Sequence, residues 1–172
     1  TRDPRFRDMI VESRRTLFRC YDDPGFGVLR WVLSENADND KPSMREIVST
    51  LDQIYGYMLF PFRALPKEER AVWENDLRRL ARMLVEEYYG SREGLFYGRT
   101  GATTDRFYGA AHTDIGPSTK TMWLIMRIGR LTGDLARHEF VRSGAARLVE
   151  VASHAPHGAG TSEDTGLASQ RA

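Results

Sequence analysis

At 172 residues, 41% of them hydrophobic and with three Trp and eight Phe, the chain is long enough for one ordinary domain and can supply a packed core. Twenty-five Lys and Arg against 24 Asp and Glu leave a net charge of +1, so no overall field recommends a nucleic acid or an anionic membrane as partner. The single Cys20 excludes an internal disulfide and points to a reduced, cytoplasmic setting, and the longest apolar patch, Met122 to Met126, falls far short of the roughly 18 residues a membrane helix needs.

Asp3-Pro4 sets an N-cap before a proline at the first helical position, and Phe6, Ile10, Leu17, Phe18 and Tyr21 then recur near the helical period, which predicts a helix over about 4–21. Gly25 and Gly27 stop it, and the β-branched run Val28 to Leu33 predicts a short strand. Ser43 and Glu46 are spaced as a capping box, after which Ile47, Leu51, Ile54, Tyr55 and Met58 fall on one face of a second helix. Pro66 opens a third helix with the stripe Trp73, Leu77, Leu80, Leu84 and Tyr88, ending at Gly90. GLFYG, Gly94 to Gly98, then stands where GFGVL stood earlier, and a polar loop leads through Ser118 into a fourth helix carrying Met122, Trp123, Met126 and Leu131.

Tyr55 and Trp123 are 68 residues apart, as are Met58 and Met126, so the chain reads as two copies of a helix, glycine-aromatic strand, loop, helix unit. A fifth helix, about 135–151, with Phe140, Val141, Leu148 and Val149, opens a third copy whose second helix does not follow. The predicted organisation is therefore units at about 4–63, 66–132 and 135–152, with 153–172, rich in Gly, Ser, Thr and Ala, as a polar loop or tail. A stacked array of this kind exposes an apolar flank at each end, which predicts self-association through uncapped helices.

Tandem helical hairpins joined by short glycine-aromatic strands look like the alternating inner and outer helices of an all-α (α/α)6 toroid. The stretches DDPGFGVL (Asp22 to Leu29), LDQIYGYM (Leu51 to Met58), EGLFYGR (Glu93 to Arg99) and HTDIGPSTKTMWLIMRIGRLTGD (His112 to Asp134) resemble the N-acylglucosamine 2-epimerase family, which includes cellobiose 2-epimerases and related sugar isomerases. The resemblance covers about residues 4–152 and makes the chain about two and a half of six hairpins, a fragment of a toroid of roughly 400 residues. It implies action on a free mono- or disaccharide by proton transfer beside a carbonyl, with no metal and no nucleotide cofactor. The family's Gly-His-x-x-Glu reads here Gly116-Pro117-Ser118-Thr119-Lys120, with Pro at the His position and Lys at the Glu position. Its Trp-Gln-x-Arg is matched only by Gln53, with Tyr55 at the Arg position.

Proton transfer at such a carbon suits groups that titrate near neutrality, usually His. His138 lies among charges on the fifth helix, where a solvated role is expected, and His154 and His157 fall in or beside the tail. His112 precedes an inner helix and has Asp114 two residues on, close enough to orient an imidazole. It is the candidate catalytic residue, against the readings of a loop His bonding backbone and of a metal ligand without a third partner. Gln53, Tyr55, Tyr108, Asp114, Lys120 and Trp123 are the candidate sugar contacts, the aromatic ones being open equally to a core role. Lys120, near a helix N-terminus that disfavours its charge, calls for an acidic partner. Two other functions share this fold: a carbohydrate-binding or interaction module that lacks the acid/base pair, and an (α/α)6 glycoside hydrolase, which needs a second carboxylate beside Asp114.

Overall fold

The computed structural model describes residues 3–23, 28–30, 46–98 and 115–154. Among them are five α-helices and two minimal hairpins: α1 (Pro4–Tyr21), β1 (Asp22–Asp23), β2 (Val28–Leu29), α2 (Ile47–Ile54), α3 (Lys67–Tyr88), β3 (Tyr89–Gly90), β4 (Leu95–Phe96), α4 (Ile115–Thr132) and α5 (Leu135–His154). The chain is predominantly helical, as its periodicity predicts.

Local chemistry accounts for the boundaries. Asp3 adopts an extended conformation and accepts a hydrogen bond from the Arg5 amide, with Pro4 in the first turn where a missing N–H costs nothing. Pro66 caps α3, and Glu68 and Glu69 lie in its first turn, where the helix dipole favours negative charge. The expected capping box is not formed as written. Glu46 is itself the extended cap residue of α2, whose helix starts at Ile47, and the Ile47 amide is satisfied instead by the carbonyl of Gly98, 2.9 Å away. Ser43 and the Trp31 to Leu33 part of the expected strand lie outside the described residues.

After Ile54 the helix widens into a π-turn, Tyr55–Leu59, closed by the Phe60 amide on the Tyr55 carbonyl at 3.1 Å. A 3₁₀ turn, Phe62–Ala64, then leads to α3. The core holds the α3 stripe Trp73, Leu77, Leu80, Leu84 and Tyr88, together with Leu51, Ile54 and Met58 of the second helix and Met122, Leu124, Ile125 and Ile128 of α4. Glycines let α5 lie tightly on α4. A Cβ on Gly129 would sit 3.2 Å from the Arg137 and His138 side chains, and one on Gly144 would collide with Met122.

Helix, hairpin and helix recur in the same geometry. β1 pairs with β2 through Asp22↔Leu29 and β3 with β4 through Tyr89↔Phe96, the same antiparallel register displaced by 67 residues. The flanking bonds repeat too, Arg30 N to Tyr21 O and Tyr97 N to Tyr88 O, each 2.7 Å. Thr50 Oγ1 donates to the Leu29 carbonyl, and Ser118, the matching position of α4, accepts from the Phe96 amide at 3.0 Å. A hydroxyl on the second helix of each unit thus ties that helix to its own hairpin.

Several sequence expectations change in detail. Tyr55 and Trp123, assigned to apolar faces, are 42% and 40% exposed. The buried face of α4 instead includes Ile115, Ser118, Met122, Ile125 and Ile128, because Ser118 is consumed by the hairpin bond and turns that side inward. Val149 on α5 is exposed, since no second helix of a third unit covers it among the described residues. His138 is half-buried rather than solvated, because the bare Gly129 on α4 makes room for its ring.

Candidate functional site

The site on the α2/α4 face follows from the repeat. Asp52 and Lys120 are 68 residues apart and form a direct Oδ1–Nζ ion pair between the two helices. One turn further along, Tyr55 and Trp123 meet edge to face, with ring centroids 5.5 Å apart and planes at 61°. Equivalent positions of successive units therefore touch each other, which requires α2 and α4 to lie side by side. The π-turn adds a second aromatic edge by setting Phe60 6.5 Å from Tyr55. One turn beyond Trp123 on α4, the Arg127 guanidinium lies 5.8 Å from its centroid.

These residues open into a recess of about 320 Å³ lined by Tyr55, Leu59, Phe60, Arg63, Trp123 and Arg127, with Leu131 at its end. Its walls offer half-exposed aromatic surface and two guanidiniums, and no carboxylate lies among the described lining residues. Aromatic faces take the C–H side of a sugar ring, and guanidiniums donate to hydroxyl, carbonyl or anionic oxygens. The Asp52–Lys120 pair is well exposed, so it fixes the relative position of the helices more than it stabilises them.

Of the candidate residues, Tyr55, Lys120 and Trp123 come together on this face. Gln53 does not. Two positions before Tyr55, it points to the other side of α2, where its Nε2 donates to the Arg30 carbonyl at 3.2 Å and its Oε1 is buried without a hydrogen-bond partner among the described residues. There it lines a cleft of about 550 Å³ against α1, with Met9, Glu12 and Tyr57. His112, Asp114, Tyr108 and His157 lie outside the described residues, as does the side chain of His154. Sequence reasoning did not single out Asp52, Phe60, Arg63 or Arg127. Asp52 was legible as the position 68 residues before Lys120, and Arg127 as the i+4 neighbour of Trp123. Phe60 and Arg63 reach the recess only through the π-turn and the 3₁₀ turn, which periodicity does not reveal.

Among the described residues no cluster of three His, Cys, Asp or Glu could hold a metal ion. No helix among them is long and apolar enough to cross a membrane. No protein-family model matches the chain, and no curated protein sequence matches it.

Proposed function

We propose that the chain handles a free mono- or disaccharide as a sugar 2-epimerase- or isomerase-like protein, built from α/α hairpins that belong to a toroid of the N-acylglucosamine 2-epimerase type. The observation that carries this reading is the Tyr55–Trp123 pair, half-exposed and set between the Asp52–Lys120 ion pair and Arg127 on the face shared by α2 and α4. In a toroid that face lines the central pocket. A sugar ring would stack on the exposed aromatic faces while Arg63 and Arg127 donate to its oxygens.

Epimerisation then requires a base to take the proton from the carbon beside the carbonyl. The electron pair moves onto the carbonyl oxygen, and a second group returns a proton to the opposite face. His112 is the residue in this sequence to which that first role falls, with Asp114 orienting its ring. Incubating the protein with free aldoses in deuterated water tests the chemistry, because only proton transfer places deuterium on that carbon. His112→Ala should abolish the incorporation while sugar binding, read by Trp123 fluorescence, persists.

A second reading is favoured by one observation: Lys120, at the position of the family's Glu, has its ammonium tied up by Asp52. A module that binds the sugar without turning it over would quench Trp123 on sugar addition and incorporate no deuterium. Absence of both quenching and incorporation would refute both readings.

A further inference from the structure

Inside the chain, each unit docks on the one before it through a fixed register. α3 faces α1 through Asp76, which accepts from Arg14 Nε at 2.6 Å, and through Arg79, which reaches Asp22 at 3.2 Å and stacks 5.1 Å from the centre of Phe18. The next junction falls at the equivalent positions, occupied by different side chains. Arg147 of α5 corresponds to Arg79, Tyr89 corresponds to Asp22, and the positive charge of Arg147 acts on the Tyr89 hydroxyl. Ala81 and Gly144, which correspond to Arg14 and Asp76, are both buried. The docking face of a first helix is thus defined by position, whatever residues occupy it.

On α1 the same face is open. Met9 corresponds to Asp76 and is 63% exposed, and Phe6 and Ile10 correspond to the fully buried Trp73 and Leu77. With Gly56, Tyr57 and Phe60 of the π-turn they line an apolar groove of about 420 Å³. The complementary face is open on α5. Val149 stands where Arg14 stands in α1, and it is 69% exposed. Where the first internal junction sets Arg against Asp, the two free faces would set Val against Met, an apolar contact in the same register.

We propose that the α1/π-turn groove is the docking site for a second copy of this chain, which seats its α5 flank there in the register of the internal junctions, with Val149 against Met9. The contact joins unlike faces head to tail, so the rotation per copy sets the assembly: a half-turn closes a ring of two, a smaller rotation a larger ring, and a rotation that does not close gives an extending array.

Sedimentation velocity of the full chain across a micromolar concentration series tests this. Wild type should form dimers or larger species as concentration rises. Met9→Asp alone or Val149→Arg alone should weaken assembly by roughly tenfold or more, because each places an unpaired charge against an apolar face. Both side chains are exposed, so helicity and melting of each variant should match wild type. Mixing the two variants, or combining the substitutions in one chain, should restore assembly by recreating the Arg–Asp pairing of the Arg14–Asp76 junction. A wild type that remains monomeric, or that assembles unaffected by both substitutions, would overturn the proposal.

Discussion

The junction between the first two units has a strength that can be worked from its geometry. Arg14 and Asp76 are in direct contact at 2.5 Å, with side chains only 20% and 14% exposed, and the Arg14 guanidinium also lies 5.3 Å from the centre of the Phe18 ring. Removing one partner of a fully buried pair costs about 3–5 kcal/mol, most of it the penalty of stranding the other charge. Residual exposure lets the survivor recover some water here, so Asp76→Ala and Arg14→Ala should each cost about 2 kcal/mol. Phe18 remains covered in the arginine variant, since Arg79 stacks on it as well. The double variant strands no charge and should cost no more than either single, about 1–2 kcal/mol, a coupling of about 2–3 kcal/mol between contacting sites. Urea denaturation of the four proteins, read by helical circular dichroism, measures the cycle. Strict additivity would show that the pair does not hold the units together.

Four further outcomes follow from single positions. Ser118→Ala should destabilise by about 1–3 kcal/mol in the same assay, because it leaves the buried Phe96 amide without its acceptor. Gly94, with φ of 74° and the Arg147 side chain against the place a Cβ would take, should lose about 1–2 kcal/mol or more as Ala, whereas Gly56, with open space around it, should gain about 0.5–1 kcal/mol. Burial raises the Tyr89 hydroxyl above the ordinary tyrosine range, with Arg147 partly opposing the shift. Stability from Tyr89 is therefore fully present below the unfolded value and is lost as pH rises through the folded one. Alkaline melts should show a steeper loss for wild type than for Tyr89→Phe, and equal slopes would refute the assignment.

What the sequence revealed and what it hid divide along physical lines. α1 and α3 were legible because a proline start and a clean apolar period act locally, and both describe the observed helices closely. The 68-residue spacing was legible because it is a property of the string, and it places Asp52 on Lys120 and Tyr55 on Trp123. Burial was less legible. An aromatic at helical spacing counts equally for a core and for a recess, and only the position of the neighbouring helix decides that Tyr55 and Trp123 stay half-open while Tyr88 is sealed. The start of α2 is hidden from the sequence because its first amide bonds to Gly98, more than fifty residues away, and no local pattern records such a partner. Gln53 and Tyr55, two positions apart, were assigned to one pocket, although a helix sends residues at that spacing to nearly opposite sides.

The buried core is distributed unevenly along the chain. α1 contributes Leu17 alone to the buried set, while α3 contributes seven residues. Opening free energies scale with such burial, so hydrogen exchange should be graded from one end, with α1 amides exchanging first and α3 amides last. The least costly excursion from the native state is the release of α1, which breaks the Arg14–Asp76 and Asp22–Arg79 bonds together and leaves α2 to α5 folded. A protease that cuts within α1 would meet this opened form well before global unfolding.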